Sequence, residues 1–374
     1  MDVVGSSPAG PTSTARVRGT RPIGPHAADE PAPMRRGSQE SSVGTDIQFR
    51  VGHDEREWDA LVAASPGATA FHDWSWLRMQ TDLHGWRFEP LVVEHRGRAV
   101  GVFPVLLRSP RRARPADPPF PFVGPLVPEA LLASTLRQFR RWQLVHRVPV
   151  VRFDFGPGVA AAGEAALVGN GSEWSADRTF VIDLVGSSPE SLVAGMKRGA
   201  RQALRAAGRH AVEVRPALPD EVTTLLPRVL SESYESRGVP SPYPSEIGER
   251  VARWAADRSD VYLSTALVAG EPVGVLVALG SHDVVTGWAG GTLRAHRAVN
   301  PSTVLYHDML QWSLARGHSA VDLVGYVDLG VSRFKMSLGA VERPYVNAVS
   351  SPVPRFVRSA VARVRDRGTA ADPR

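Results

Sequence analysis

The strongest constraint on the fold is a plan that occurs twice along the chain. In each half, two apolar segments flank a short polar turn, which is typical of a β-hairpin. The first half has FEPLVVEH and AVGVFPVLL on either side of RGR, and the second has VYLSTALV and VGVLVALG on either side of AGEP. Val100-Gly101-Val102 in the first hairpin corresponds to Val273-Gly274-Val275 in the second. This repetition favours an internal duplication of one α/β unit.

Each predicted hairpin is followed by a helical segment and then by a strand with an acidic residue. That residue is Asp154 in VVRFDF and Asp322 in SAVDLV. The pattern predicts two domains, at 46–186 and 187–350, each with a mixed β-sheet flanked by helices. Residues 1–45 are rich in Pro, Gly, Ser and Ala and predict a disordered leader, and residues 351–374 predict a basic C-terminal tail.

Composition excludes several classes of chemistry. The chain has no cysteine, so disulfides, thiolate catalysis and cysteine metal sites are excluded. Its eleven histidines show no metal-binding spacing, so we expect no metal. No apolar run reaches the length of a membrane span, and we expect a cytoplasmic protein. The net charge of +6 fits either a polyanionic partner or a generally arginine-rich proteome.

A cationic segment joins the two halves. Ser188 and Pro189 fit the N-cap and first position of a helix, and Gly208 fits its end. Within that predicted helix the basic residues recur every four positions, and they are Lys197, Arg201, Arg205 and Arg209. The stripe is either a solvated face or a site for phosphate or carboxylate groups, and the sequence leaves both open.

The order of four segments resembles the FemAB-type transferases. These segments are MKRGARQALRAAGRHAVEV, VYLSTALVAGEPVGVLVAL, NPSTVLYHDMLQWSLARGHSAVDLVGY and GVSRFKMSLGA. That family is the branch of the GNAT superfamily with two tandem GNAT-like domains, and it includes BioF2-like acyltransferase domains. The resemblance implies an α/β fold with two tandem GNAT-like acyltransferase domains. It also implies transfer of an aminoacyl group from aminoacyl-tRNA to an amine of a peptidoglycan precursor, or of a related envelope or natural-product acceptor.

The resemblance gives its clearest roles to the Phe-Lys pair. Lys335 is implied to stabilise the ester carbonyl or a tRNA phosphate, as a compact charge that can follow developing negative charge. Phe334 is implied to pack beside the acyl donor. Asp322 is a candidate base, an anchor for the substrate amine, or only a loop carboxylate. Further candidates for the substrate site, which core packing would also explain, are Tyr234, Tyr243, Trp288, Tyr306 and Tyr326. Arg201 and Arg205, together with Lys197, are the candidates for the anionic substrate group.

The donor is the main alternative left open. A GNAT enzyme that uses acetyl-CoA normally has a glycine-rich turn whose amides bind pyrophosphate at a helix N-terminus. The matching segment here, RAHRAVNPSTVLYHD, contains no glycine, and Pro301 removes one amide donor after Asn300 at the N-cap. We therefore expect no bound cofactor and an aminoacyl-tRNA donor. The alternative is an N-acyltransferase that uses acetyl-CoA or another acyl-CoA to acylate a sugar or peptide amine.

The expected partners are anionic. They are aminoacyl-tRNA and a phosphorylated cell-wall precursor, and the basic tail could contact an anionic membrane at its inner face. A non-catalytic protein that only binds envelope precursors or RNA is a third reading of the same sequence.

Overall fold

Eleven strands and ten α-helices make up the part of the chain that the structure describes. The computed structural model describes residues 46–108, 116, 118–170, 172–325 and 329–353, so the predicted leader and nearly all of the predicted tail lie outside it. The strands are β1 (Ile47–Val51), β2 (Arg87–His95), β3 (Arg98–Leu107), β4 (Val151–Phe155), β5 (Glu173–Asp183), β6 (Val212–Pro216), β7 (Val261–Val268), β8 (Glu271–Ser281), β9 (Val284–Thr292), β10 (Ala320–Asp322) and β11 (Val341–Ser350). The helices are α1 (Glu55–Ala63), α2 (Trp74–His84), α3 (Glu129–Val145), α4 (Ala160–Gly169), α5 (Pro189–Gly195), α6 (Arg198–Arg209), α7 (Pro219–Glu235), α8 (Ile247–Ala255), α9 (Pro301–Ala315) and α10 (Leu329–Ser337). Short 3₁₀ helices lie at Ala70–His72, Pro157–Val159 and Arg294–Val299.

Both predicted hairpins form, and they share one irregularity. In the pairing of β2 with β3, Val100 is the extra residue of a β-bulge, and in the pairing of β7 with β8 it is Val273. Each bulge therefore directly precedes the glycine that the sequence comparison aligned. A Cβ on Gly101 would lie 1.9 Å from the carbonyl oxygen of Leu126, and a Cβ on Gly274 would also meet neighbouring backbone. The predicted correspondence between the two hairpins is confirmed.

The strands form two sheets, and the larger one contains strands from both halves of the chain. β1, β2 and β3 make an antiparallel sheet, while the other eight have the order β4-β11-β5-β10-β9-β8-β7-β6. β11 lies between β4 and β5 and is antiparallel to both, whereas β10 is parallel to β9. The fold is therefore mixed α/β, as predicted. The domain division at 186 and 187 stays a prediction.

Strand β8 shows why the middle of the large sheet is covered on both faces. Alternate residues of a strand point to opposite faces. Val275 and Val277 pack on the side of α7, in a core cluster that also includes α8, whereas Leu276 and Ala278 pack with α9. This explains the nearly continuous apolar run VGVLVALG, which has no polar face to present to water.

The predicted helix from Ser188 to Gly208 is two helices, so the prediction of one continuous helix was wrong. Ser188 caps α5 and Pro189 opens it, as predicted. The chain then becomes extended at Met196 and Lys197 before α6 begins. The Lys197 amide donates to the carbonyl oxygen of Ser337, 2.8 Å away. Contact with α10 therefore supports the break, although the local pattern continues through it.

No helix in the described ranges is long and apolar enough to cross a membrane.

Candidate active site

The candidate site begins where two parallel strands part. β9 and β10 pair over three positions, of which the last is Thr286 opposite Asp322. β10 ends there, while β9 continues to Thr292 with β8 on its other edge. Alternate backbone amides of a strand point to each of its edges. Beyond Thr286, one edge of β9 therefore borders an open cleft.

We call this opening the splay cleft. It has a volume of about 550 Å³ and lies between the end of α7, β9, the start of α9, the segment after β10, and α10. Six of the predicted site residues line it, namely Tyr234, Tyr243, Trp288, Tyr306, Phe334 and Lys335. Asp322 lies at its base in the strand pair but is not part of its wall. Tyr326 lies outside the described residues.

Strand β9 is irregular along the splay cleft. Trp288 is the bulged residue in its pairing with β8, because Gly287 pairs with Ala278 and Ala289 with Val277. Gly290 has φ +150°, and a Cβ there would lie 2.3 Å from the carbonyl oxygen of Val275. Gly290 is therefore required for close backbone approach, and the bulge redirects β9 at the cleft.

An aromatic cluster forms one wall. The rings of Tyr243 and Trp288 meet edge to face with centroids 5.7 Å apart, and Tyr234 lies 6.2 Å from Tyr243. Arg237 stacks over Tyr234 with its guanidinium carbon 4.1 Å from the ring centroid. The Tyr243 hydroxyl donates to the carbonyl oxygen of Pro119 at 2.8 Å, and burial raises the pKa of that hydroxyl well above its usual range. These rings are fixed by packing and offer flat surfaces to a ligand.

A second aromatic pair lies across the cleft. Tyr306 on α9 and Phe334 on α10 meet edge to face with centroids 5.3 Å apart. Burial raises the pKa of Tyr306 to about 12, so its hydroxyl is a neutral donor at physiological pH. The pair joins the two helices that flank the opening.

Lys335 is buried and its ammonium is held in place. The residue is 4% exposed, and Nζ donates to the carbonyl oxygens of Val324 at 2.6 Å and Gly325 at 2.8 Å. It also lies 5.4 Å from the centroid of the Phe180 ring. Val324 has φ +50°, an uncommon conformation for a β-branched residue. Lys335 therefore positions the segment after β10, and its charge is fixed in place, whereas the sequence analysis expected a mobile one.

Asp322, at the end of β10, also holds the segment that Lys335 contacts. Its Oδ1 accepts hydrogen bonds from the Thr179 hydroxyl and from the Val324 amide, the latter at 2.7 Å. Burial raises the pKa of this carboxyl to about 6, although these two donors and the charge of Lys335 oppose the shift. A carboxyl that titrates near neutral pH can hold or release a proton during turnover.

Several amides of the turn before α9 already donate to acceptors within the protein. Pro301 opens the helix as predicted, but Asn300 has φ +61° and its side chain makes no capping bond. The amide of Arg294 donates to the Glu232 carboxylate at 2.7 Å. The amides of His296, Asn300 and Thr303 donate to nearby carbonyl oxygens. A pyrophosphate would have to compete with these acceptors.

The α6 stripe lies away from the splay cleft. Lys197 and Arg205 are exposed and do not line it. Arg201 donates through Nη1 to the carbonyl oxygens of Ala194, at 3.2 Å, and Met196. It therefore satisfies the C-terminal carbonyls of α5. Anion binding by the stripe stays a prediction.

Sequence reasoning missed two cations of the cleft. Arg237 and Arg297 line it together with Lys335, and no carboxylate does so among the described residues. Arg237 follows Tyr234 by three residues at the end of α7, a spacing that brings the two side chains together on a helical turn. That spacing could have indicated Arg237 from the sequence.

No group of acidic and histidine side chains in the described ranges is arranged to hold a metal ion.

Comparison with known proteins assigns this region. Residues 194–336 match the family model of the acetyltransferase (GNAT) domain, and this range includes every residue that lines the splay cleft. The structure of FemX superposes with a TM-score of 0.62 at 12% identity, covering 79% of this chain and 96% of FemX.

The chain has a FemAB-like tandem-GNAT fold. A tandem GNAT protein from the clavulanic acid biosynthesis pathway superposes with a TM-score of 0.51 at 15% identity, covering 82% of this chain and 99% of that one. L-PGS from Bacillus licheniformis superposes with a TM-score of 0.51 at 12% identity, covering 83% of this chain and 96% of that one. A search of curated proteins by sequence finds no significant match. The residues that line the splay cleft thus lie within a domain that matches the GNAT acetyltransferase model.

Proposed function

We propose that the chain transfers an aminoacyl group from aminoacyl-tRNA to an amine of a peptidoglycan precursor, or of a related envelope or natural-product acceptor. The observation that carries the proposal is the splay cleft, where Arg237, Arg297 and Lys335 provide positive charge and no described carboxylate is part of the wall. Such a cleft suits a donor with many phosphates. Charged tRNA is a cytoplasmic substrate, so the proposal also places the reaction in the cytoplasm.

The aromatic wall supports an RNA end as the donor. Single-stranded RNA is commonly bound by bases that stack on aromatic rings and on arginine planes. Tyr234 with Arg237 stacked over it provides both surfaces at the end of α7. The terminal adenosine that carries the aminoacyl ester would fit against this wall.

The reaction requires placement and charge stabilisation more than a covalent nucleophile. The acceptor nitrogen attacks the ester carbonyl, a carbon–nitrogen bond forms, and the bond to the ribose oxygen breaks. The amine loses a proton, and the ribose hydroxyl gains one. Backbone amides on the open edge of β9 beyond Thr286 are the proposed donors to the oxyanion. Lys335 would act by fixing the backbone of Val324 and Gly325 on the opposite side.

An acyl-CoA donor is the second candidate, because the matching family model describes an acetyltransferase domain. The turn before α9 argues against it, since several of its amides already have protein acceptors. No cofactor is required by the aminoacyl-tRNA proposal.

The test offers both donors to the purified full chain. Charged total tRNA and acetyl-CoA are incubated separately with a panel of amines, and loss of the ester or thioester is followed together with amide formation. We expect amide formation from charged tRNA, reduced about tenfold or more by Arg237→Gln, which removes a charged contact. Arg228→Gln on the exposed side of α7 is the matched control and should leave the rate unchanged. Consumption of acetyl-CoA alone would replace the proposal with the second candidate.

A further inference from the structure

A second cavity lies on the other face of the strand pair that borders the splay cleft. It has a volume of about 510 Å³ and lies between loops at 63–69 and 156–158 and the sheet. Its wall includes Thr286 and Asp322, whereas the wall of the splay cleft includes the residue that follows each of them, Gly287 and Leu323. Because successive residues point to opposite faces, the two cavities lie back to back where β9 and β10 part.

The two cavities carry opposite charge. The second one is lined by two acidic residues, Asp283 and Asp322, and by His282, and by no lysine or arginine among the described residues. The wall of the splay cleft has three cationic residues and, among the described residues, no carboxylate. In a chain with a net charge of +6, a pocket with two acidic residues and no lysine or arginine in its described wall disfavours anionic ligands. We call it the acidic cavity.

Asp322 presents a carboxylate oxygen without a donor. Its hydrogen bonds from Thr179 and from the Val324 amide both reach Oδ1, and among the described residues none reaches Oδ2. The side chain is only 4% exposed and forms part of the wall of the acidic cavity. Oδ2 is not one of the fully enclosed side-chain atoms that lack a partner, so a ligand in the cavity can reach it and donate to it. The raised pKa of this carboxyl, about 6, is consistent with the missing donor.

The rest of the wall suits a short apolar stem. Pro66 and Val181 contribute apolar surface, and the three alanines at 63, 64 and 68 are small. A ligand that complements both parts has a cationic head with several hydrogen-bond donors and an alkyl chain. A primary alkyl amine has this chemistry.

We propose that the acidic cavity binds the primary amine of the acceptor, with the ammonium donating to Asp322 Oδ2 and its alkyl stem packed along Val181. The use of this amine in transfer rests on the proposed function, but its binding does not. The nitrogen then lies where the parallel pairing of β9 and β10 ends. For attack, the ammonium releases one proton to Asp322 and on to solvent. The second proton lost by nitrogen ends on the leaving ribose hydroxyl.

The binding test uses hexylamine, with hexanol as its neutral counterpart, titrated calorimetrically into the full chain at neutral pH. We expect hexylamine to bind at least about tenfold more tightly than hexanol, because a charge-assisted hydrogen bond separates them. Asp322→Asn should weaken hexylamine about tenfold or more. Asp183→Asn changes an exposed carboxylate on the neighbouring strand outside the cavity and should leave the affinity unchanged.

A second pair of variants does not touch the buried carboxyl. Val284 is 37% exposed and lines the acidic cavity, so Val284→Lys adds a cation there while Val284→Gln adds a neutral side chain of similar length. We expect the lysine variant to weaken hexylamine several-fold more than the glutamine variant. Equal binding of hexylamine and hexanol, or unchanged hexylamine affinity in both Asp322→Asn and Val284→Lys, overturns the proposal.

A transfer assay separates this inference from the proposed function. If no charged tRNA serves as donor while hexylamine binding still depends on Asp322, the proposed function fails and the amine site stands. If transfer from charged tRNA occurs with the same KM for the amine in Val284→Lys as in Val284→Gln, the amine site fails and the proposed function stands.

Discussion

Replacing Lys335 by methionine tests the most buried charge of the splay cleft. The change keeps the apolar stem and removes the ammonium that donates to Val324 and Gly325. Each hydrogen bond to a charged group contributes about 1.5–3 kcal/mol, and losing the costly burial of the ammonium offsets part of this. We expect the free energy of unfolding to fall by about 2–3 kcal/mol.

The loss should depend on pH because Asp322 loses its neighbouring positive charge. In the parent protein the charge of Lys335 opposes the upward shift of the Asp322 pKa. Without Lys335 that pKa therefore rises further above its ordinary value of 3.8. Protonation of Asp322 then removes a buried negative charge that has lost its neighbouring cation. The variant is therefore destabilised less at acidic than at alkaline pH. Urea unfolding of both proteins at several pH values measures this difference. Lys197→Met, which changes the chain's other, exposed lysine, is the control.

Transfer activity gives the second readout of the same variant. If Lys335 fixes the segment that faces the acyl group, turnover should fall about 100-fold, the size of losing one preorganised oxyanion stabiliser. Lys335→Arg should not restore it, because a planar guanidinium cannot reproduce the short bonds of a compact ammonium to both carbonyls. Turnover within a few-fold of the parent, in a Lys335→Met protein that is folded, would refute the reasoning.

Three further predictions follow from the contacts. In the folded protein Asp322 keeps its proton up to about pH 6, but the unfolded carboxyl releases it near 3.8; the free energy of unfolding therefore falls as pH rises through this window. In Asp322→Asn the free energy of unfolding should fall by about 3 kcal/mol less over the same pH range. If the free energy of unfolding changed equally with pH in the two proteins, the prediction would be wrong. Gly290→Ala should lower stability by about 1–3 kcal/mol because its Cβ meets backbone, whereas Gly199→Ala on the open side of α6 should be neutral or stabilising in the same thermal melts. Arg201→Gln should lower the melting temperature by removing the donor to α5, and Arg205→Gln should not; a reduced salt dependence of tRNA binding in Arg205→Gln would instead support the anion site.

Local patterns predicted the elements of the site well. The hairpins and the helix that begins at Pro301 depend on near neighbours in the sequence. Apolar periodicity and turn residues record such elements directly. The aligned glycines were also informative, because both occupy positions where a side chain would meet backbone.

The errors arose where distant contacts override local pattern. The break at Lys197 accompanies a hydrogen bond to Ser337, which is 140 residues away along the chain. The fixed ammonium of Lys335 follows from the backbone after β10, and no spacing in the sequence reports that carbonyls converge there. The function of a side chain therefore could not be read from its motif alone.

Strand β11 illustrates the same limit. Pro344 is unexpected within a sheet because it lacks an amide donor. It pairs with Arg178 of β5, while β4 reaches only Val346–Ser350 on the other edge. The proline thus occupies the part of β11 that has a neighbour on one side only, and this becomes visible only once both neighbours are known.

The position of β11 also limits the order in which the chain can fold. β4 and β5 do not pair with each other, since both pair with β11, whose residues follow β5 by more than 150 positions. During synthesis, β4 and the edge of β5 that faces it therefore stay unpaired until β11 has been made. Contacts of such large sequence separation slow folding and lengthen the exposure of aggregation-prone edges. Chains released before Val341 should accordingly be substrates for chaperones or proteases, even though most of the splay cleft has by then been made.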